Sequence, residues 1–591
     1  MLPHKQIELR LQQAVRAVLP DADTTPVLVR PCPDPKFGDY QSNALMALAK
    51  ERKMNPRQLA TGVLAKLDVA EICGKVEIAG AGFLNFWLKP SALAQTLQAA
   101  AGGEHLFFDR AAPPRTVVID FSSPNVAKPM HVGHIRSTIL GDGLARTLRL
   151  LGHRVITDNH IGDWGTQFGM LLLGWKHHLN PEALKADPIC EMERLYKLVN
   201  AASGTDAMVR EQAKQELVKL QRGDGENLKI WREMIALSEK QFDAIYSRLG
   251  VIFDQMLGES FYNPRLEPVV DELVARGIAR ESEGALAIFF DEVPQLKSHP
   301  ALIRKSDGGF NYTTTDLATL EHRLKTWQPD EIIYVTDGRQ QLHFQQIFAA
   351  FRIWQSQLPT SNSPLPKLAH VWFGSILGED GKPFKTRSGE TVKLAELLDE
   401  AEARAFKIVS EKNPDLPEAQ RREIARVVGL GAVRYADLLP NRQSDYVFSW
   451  DKMLALQGNT APYLQYAYTR IRSIFRKAEE TSPAAPKQSE GGNIQHSTLN
   501  IQLAAPEEIA LAKHLLNFGL TLEAVADEYR PNFLCNYLYE LAGKFTAFYE
   551  NCPVLKADAA TRASRLALCD LTARVLKQGL ETLGIETVEQ M

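Results

Sequence analysis

Val117-Val118-Ile119-Asp120-Phe121-Ser122-Ser123-Pro124-Asn125-Val126-Ala127-Lys128-Pro129-Met130-His131-Val132-Gly133-His134 decides how the chain is read. It opens on a short β-branched run and closes where a helical pattern begins that continues from Ile135 to Leu151. Two imidazoles flanking a glycine at a helix start can offer N–H donors to a phosphate beside the positive end of the helix dipole. Gly133 leaves room for a nucleotide base to approach the backbone. A His-x-Gly-His string in isolation is a weak signal, but its place directly after a strand is the context this chemistry needs.

The same alternation repeats outward. Val155-Ile156-Thr157-Asp158 precedes a helical pattern from Thr166 to His178, and Glu331-Ile332-Ile333-Tyr334-Val335 precedes one from Gln341 to Trp354. A further strand-like run is Val371-Trp372-Phe373-Gly374. Alternating strands and helices imply an α/β fold with a Rossmann-like parallel sheet, whose ligand site lies at the strand C-terminal ends. Two stretches interrupt the pattern, the larger at about 184–250 being charged and helical. We divide the chain into an N-terminal α+β domain over 1–110, a catalytic sheet domain with helical insertions over 111–395, and an α-helical bundle over 396–591. Inside the bundle, residues 479–506 are rich in Ser, Gln, Pro and Gly and read as a loop without a core of its own.

Composition narrows the class. The 591 residues are enough for several folding units, at roughly 100–200 residues per domain. With 45% hydrophobic and 24% charged residues the chain reads as globular, and no apolar run is read as long enough to cross a bilayer. A net charge of −3 means that a nucleic-acid partner would have to be met by local basic patches. The 6 cysteines show no Cys-x-x-Cys pairing, which argues against a structural zinc site or a disulfide framework and fits a reducing cytoplasm. No structural metal is expected, and the start of the chain lacks the apolar centre of a signal peptide.

A second phosphate candidate is Gly378-Glu379-Asp380-Gly381-Lys382-Pro383-Phe384-Lys385-Thr386-Arg387-Ser388-Gly389. Its three cations suit a triphosphate whose charge must be stabilised as pyrophosphate leaves, although a solvated basic hairpin would look the same. Together the two segments resemble the paired nucleotide-binding motifs of the class I aminoacyl-tRNA synthetases. His131-Val132-Gly133-His134 resembles their His-Ile-Gly-His motif. Lys385-Thr386-Arg387-Ser388-Gly389 stands in place of the Lys-Met-Ser-Lys-Ser loop, without its second lysine, for which Lys382 is the candidate substitute. The strings around Asp120–Asn125, Gly162–Gly169, Tyr312–Asp316 and Gln457–Tyr466 narrow the resemblance to the arginyl branch, over nearly the whole chain.

That resemblance implies an arginine–tRNA ligase that uses ATP, with Mg²⁺ as its counterion, to make arginyl-adenylate and then charges its tRNA, with bound tRNA required for the first step. His131, His134, Lys128, Lys382 and Lys385 would be catalytic, and His131, Gly133, His134 and Lys385 would bind ATP. A guanidinium ligand calls for carboxylate partners. Tyr312 and Asp316 would share a helix face and contact it together with Gln340, although Asp316 beside three threonines could equally be a helix-capping charge. Asn125 and Asp120 would hold the α-carboxylate and α-amino ends. For tRNA the candidates are Tyr463, Tyr466 and Arg470, with Arg472 and Arg476 nearby, then Tyr549 and Met591, and Asn85 in the N-terminal domain for an exposed base. Core-facing aromatics, and a solvent-facing Asn85, are the plainer alternatives. Gly162-Asp163-Trp164-Gly165 reads either as a turn near the reactants or as a plain loop. The expected state is a monomer. A shorter nucleotidylyltransferase on the same sheet, or a catalytically silent RNA-binding relative, would explain less of the chain.

Overall fold

The computed structural model describes residues 1–357, 364–384, 391–480 and 500–591. Near the N-terminus the strands β1 (Arg30–Pro31), β2 (Tyr40–Ser42), β3 (Cys73–Ala79) and β4 (Phe83–Leu88) form an antiparallel sheet in the order β1-β2-β4-β3. Helices Pro3–Val18, Ala44–Glu51, Pro56–Leu64 and Pro90–Ala101 cover it, burying Ile7, Leu11, Val15, Leu45, Leu84 and Phe86. Gly38 has φ 128°, and a Cβ there would stand 2.9 Å from the Phe86 carbonyl oxygen, so the turn into β2 admits only glycine. This domain is docked on the C-terminal bundle through Lys5–Glu523 at 2.9 Å and Lys513–Asp39 at 2.6 Å.

The second sheet is fully parallel. Strands β5 (Thr116–Asp120), β6 (Arg154–Asn159) and β7 (Gln255–Met256) come first. Then β8 (Ala279–Ser282), β9 (Ala285–Ile288) and β10 (Ala301–Arg304) form a separate antiparallel sheet, and β11 (Glu331–Tyr334) and β12 (Lys367–His370) complete the parallel one in the order β12-β11-β5-β6-β7. Strands covered on both faces need apolar residues at successive positions. Val117 and Ile119 accordingly pack with the helix Val132–Leu150 on one face. Val118, Ile156 and Ile332 pack on the other against helices Glu259–Ala275, Tyr312–Trp327 and Gln341–Ser356. The chain leaves β5 for β6 on one side and reaches β11 on the other, which opens a crevice at the C-terminal ends of β5 and β11.

Some readings need correction. The last strand of the parallel sheet is Lys367–His370, which ends directly before the Val371–Gly374 run. Residues 367–370 carry the parallel ladder to β11, while Val371 and Phe373 are apolar because they are buried after the strand has ended. The interruption at 184–250 is helical as expected, taking in the end of the short helix Pro181–Ala186 and then Pro188–Thr205, Ala207–Gln221 and Gly225–Leu249. Residues 481–499 lie outside the described residues, but the chain is anchored at Ile501, which is buried, and at Gln502, whose N–H donates to Ser564 Oγ at 2.9 Å. One stretch, Pro506–Glu528, does reach the length and apolarity of a membrane span, at 23 residues and mean hydropathy 1.2. It is two helices, Pro506–Leu515 and Phe518–Glu528, and their inner faces are core of the bundle.

The bundle starts at the helix Leu394–Lys412 and continues through Glu418–Leu438, Ala461–Glu480, Asn532–Asn551 and Ala559–Thr582. It is joined to the sheet domain by more than the chain. Strand β13 (Ile376–Leu377), which leads into the basic loop, pairs in parallel with β14 (Tyr446–Val447) of the bundle.

Candidate active site

His131 is the N-cap of the helix Val132–Leu150. Its Nδ1 accepts the Gly133 N–H at 3.0 Å, and its own N–H donates to His134 Nδ1 at 3.1 Å. Each ring therefore spends Nδ1 as an acceptor, so in its neutral form it carries the proton on Nε2, leaving two N–H donors at a helix N-terminus. Burial, then the nearby Lys128, lowers the His131 pKa; burial, then His131, takes that of His134 down to about 3. Both rings are thus neutral donors at neutral pH. A Cβ on Gly133 would stand 2.8 Å from the His131 ring, so what this glycine admits in the folded chain is the capping imidazole. The Lys128 ammonium lies over the Tyr196 ring at 5.1 Å, on the inserted helix Pro188–Thr205.

The segment between strand and helix holds an unusual backbone. Ser122, Ser123 and Ala127 have φ of 74°, 48° and 61°, conformations that non-glycine residues keep only where their surroundings over-determine them. Here the Ser122 N–H donates to Ser137 Oγ at 2.8 Å, the Ser123 N–H to Asn159 Oδ1 at 3.0 Å, and the Ala127 N–H to Ser238 Oγ at 3.0 Å. Asn125 is left exposed above them. Its backbone pairs with Gly162, where a Cβ would overlap Asn125 Oδ1. The Gly162-Asp163-Trp164-Gly165 loop therefore stands beside Asn125, while Trp164 meets Trp231 edge to face at 5.7 Å.

Carboxylates line the crevice. Asp316 lies on the helix Tyr312–Trp327, whose cap is Asn311, so the capping explanation for Asp316 does not apply. Its Oδ2 is 2.6 Å from His343 Nε2; burial opposes a charge on that imidazole, but the Asp316 bond outweighs it and raises the pKa. Asp163 is buried, accepts the Ser260 N–H at 2.8 Å, and is pushed up by burial. Glu259, at the first turn of the helix Glu259–Ala275, is pushed up to about 8 by burial and by the charges of Asp163 and Asp316. A carboxyl pushed up by burial and then by facing carboxylates stands where an arriving cation would favour its ionised form. Tyr312 is 71% exposed at the mouth, and Gln340, also exposed, ends the short helix after β11. Asp120 lies beneath: only 5% exposed, it meets Arg323 Nη2 at 2.6 Å and accepts the Ser123 hydroxyl at 3.1 Å. Sequence reading missed Glu259 and His343 as pocket residues, because neither sits in a string with a chemical signature of its own; Asp163 lies in the Gly162-Asp163-Trp164-Gly165 turn, which by sequence reads equally as a place near the reactants or a plain loop.

The basic segment folds back as a tight hairpin. The Gly378 N–H donates to the Lys382 carbonyl at 2.7 Å, Lys382 is exposed, and Phe384 stacks on Phe448 of the bundle at 4.6 Å. Lys385 lies outside the described residues. Beyond them, the Val392 carbonyl accepts the Val132 N–H at 2.9 Å and the Leu394 N–H donates to the Met130 carbonyl at 2.9 Å, so the chain leaving the hairpin runs beside the two histidines.

On the bundle, Tyr463, Tyr466 and Arg470 share the helix Ala461–Glu480. Tyr463 packs on Tyr539 at 5.7 Å, Tyr466 is 46% exposed, and the Arg470 guanidinium lies over Tyr549 at 4.7 Å. Arg472 and Arg476 are engaged otherwise: Arg472 Nε binds Glu589 Oε2 at 2.8 Å and Arg476 binds the Glu589 carbonyl at 3.1 Å. Met591 packs partly buried against the bundle core. Asn85 does not face solvent: it is 4% exposed, with its Oδ1 unpartnered.

Comparison with known proteins agrees along the whole chain. The family model described as "tRNA synthetases class I (R), catalytic domain" matches residues 98–450, the "DALR anticodon binding domain" residues 464–591, and the "Arginyl tRNA synthetase N terminal domain" residues 5–88. An arginine–tRNA ligase of Hahella chejuensis is 46% identical, over 98% of this chain and 99% of its own. Among solved structures, the arginyl-tRNA synthetase of Plasmodium falciparum superposes with TM-score 0.82 at 29% identity, covering 100% of this chain and 99% of its own. That of Thermus thermophilus gives 0.81 at 27%, with both chains covered in full at 100%. With a sheet crevice edged by two neutral histidine donors and an acidic pocket, and with family matches from end to end, the chain belongs to the class I arginyl-tRNA synthetases.

Proposed function

We propose that the chain activates L-arginine with ATP and transfers it to the 3′ end of tRNA(Arg), giving arginyl-tRNA, AMP and diphosphate. The observation that carries the substrate choice is the acidic pocket, where Glu259, pushed up by burial and then by the charges of Asp163 and Asp316, would ionise against an arriving cation. Asp316, Glu259 and Tyr312 would surround the guanidinium, with Gln340 at the rim. Asn125 would hold the α-carboxylate end, with Asp120 at the α-amino end through the Ser123 segment it supports.

The first step is in-line attack of the arginine carboxylate on the α-phosphate of ATP: a carboxylate oxygen–phosphorus bond forms, and the bond to the pyrophosphate oxygen breaks. It needs no protein nucleophile, so the chain contributes position and charge stabilisation. Nε2–H of His131 and of His134 would donate to the transferring phosphate, Lys128 would balance its charge, and Lys382, with Lys385, would meet the departing pyrophosphate. Mg²⁺ would accompany ATP as its counterion. The terminal adenosine hydroxyl of the tRNA would then attack the adenylate carbonyl, releasing AMP. Tyr466 and the Arg470–Tyr549 pair offer stacking surfaces for anticodon bases, Met591 packs on the same bundle core, and Asn85, enclosed in the sheet, would meet a base at the tRNA corner only where the chain covering it opens.

The test is ATP–pyrophosphate exchange with each of the twenty amino acids, with and without tRNA. We expect exchange with arginine alone, and only when tRNA is present. Exchange with another amino acid would reassign the pocket, and exchange without tRNA would remove the dependence.

A further inference from the structure

The two phosphate-handling segments come from distant parts of the sequence, and one buried side chain touches the supports of both. Arg136 lies two residues after His134 on the same helix, and its side chain is 1% exposed. Its Nη1 donates to the Gly374 carbonyl at 2.8 Å and to the Ser444 carbonyl at 3.2 Å. Gly374 precedes β13, which runs directly into the Lys382 hairpin. Ser444 belongs to the bundle segment on which β13 is built: the Gly374 N–H donates to the Arg442 carbonyl at 2.9 Å, and the Phe448 N–H donates to the Leu377 carbonyl at 2.8 Å. A Cβ on Gly374 would stand 2.7 Å from the Ser444 carbonyl carbon, so the two backbones are in direct contact there.

The countercharge comes from the bundle as well. Asp437 Oδ1 is 3.1 Å from Arg136 Nε, and its side chain is 1% exposed. The guanidinium stands over the Tyr446 ring at 5.1 Å and the Phe373 ring at 5.7 Å. The planar, permanently charged guanidinium thus holds both carbonyls through one nitrogen and meets Asp437 as an ion pair rather than a hydrogen bond, and its flat stacking between two rings is a geometry that an ammonium does not reproduce. Nothing in Arg136 reaches the crevice, so its effect on chemistry has to pass through what it holds.

We propose that Arg136 is a positioning residue for arginine activation, setting the separation between the His134 donor and the Lys382 hairpin by clamping the helix of the first to the β13 seat of the second, with Asp437 as its anchor. The inference rests on the reading above that both segments act on the phosphates of ATP. The phosphoryl step is sensitive to such placement, since a misplacement of about 1 Å from a remote mutation can lower the rate about 100-fold.

The experiment is steady-state arginine-dependent ATP–pyrophosphate exchange, with saturating tRNA, on Arg136→Lys, Lys382→Ala and the double variant. Thermal melts fix an assay temperature at which each is folded. We expect Arg136→Lys to lower kcat by about 10- to 100-fold while KM for arginine and ATP changes less than about threefold. In the double variant the loss should fall well short of the product of the two single losses, because both act on one element. Multiplicative losses, or an unchanged kcat in the folded Arg136→Lys enzyme, would overturn the proposal. Should Arg136→Lys not fold, Asp437→Asn, which keeps the side-chain volume, takes its place under the same criteria. Wild-type protein without arginine-dependent exchange is a different outcome, one that refutes the parent reading.

Discussion

Replacing Glu259 by Gln tests the acidic pocket most directly. In the folded chain this carboxyl titrates at about 8, because burial and then the charges of Asp163 and Asp316 disfavour its ionised form. A guanidinium binding there would draw the proton off. At pH 7 that deprotonation costs about 1.4 kcal/mol, one pH unit at about 1.36 kcal/mol per unit. Truncating one partner of a buried, hydrogen-bonded charge pair costs about 2–5 kcal/mol, so the net loss in Glu259→Gln is about 0.6–3.6 kcal/mol, or roughly threefold to a few hundredfold in KM for arginine. The same linkage fixes a pH dependence. An acid whose folded pKa is raised favours its protonated form below about 8, so arginine affinity should rise with pH between 6 and 8, where the site empties of its proton, and level off above. Calorimetry of arginine binding at pH 7 in buffers of different ionisation enthalpy should detect close to one proton released per arginine, and none for Glu259→Gln. Equal proton release by the two proteins with an unchanged KM would refute the reasoning.

Three further outcomes are expected. His134→Ala should slow pyrophosphate exchange by about 3 kcal/mol, on the order of 100-fold, and should lower stability by about 1 kcal/mol through the lost capping acceptor; exchange at the wild-type rate would take this residue out of the mechanism. Because His134 titrates at about 3, the exchange rate should show no histidine limb near pH 6.5 that disappears in this variant. Gly162→Ala puts a Cβ into Asn125 Oδ1, so KM for arginine should rise about tenfold or more as the contact of roughly 1.5–3 kcal/mol is displaced, with a melting temperature that stays near wild type; a large melting shift with an unchanged KM would contradict it. Tyr466→Ala and Arg470→Ala should each raise KM for tRNA by about fivefold or more, about 1–3 kcal/mol for a stacked base. Arg472→Ala, whose guanidinium is taken by Glu589, should change it less, and the reverse order would move the RNA contact to the other helix face.

How much of this was legible beforehand follows from the range over which each signal acts. The β5-to-helix connection could be read locally: an apolar run buried on both faces, a polar turn, and a histidine able to cap the helix it precedes are all written within eighteen consecutive residues. The last strand was misplaced because Trp372 and Phe373 look like strand residues, and only the ladder to β11 tells a strand from buried chain that follows one. Arg472 and Arg476 looked as available for RNA as Arg470, since helical spacing does not reveal that Glu589 lies across them. Asn85, read as a possible solvent-facing residue, is enclosed by a sheet whose covering helices come from elsewhere in the domain.

The sequence by itself determined the layered α/β architecture with its helical bundle, and the family, and it singled out the two segments proposed to meet the phosphates of ATP. Those depend on periodicity and on short strings that chemistry keeps contiguous. Only the tertiary structure decided that Glu259, Asp163, Asp316 and His343 face one crevice, that Asp120 stands behind it on Arg323, and that Arg136 links the His134 helix to the Gly374 and Ser444 backbone beside β13. The physical reason is that burial and mutual charge shift pKa values and aim donors through distances of a few ångströms, and residues separated by a hundred or more positions carry no trace of those distances until the chain has folded.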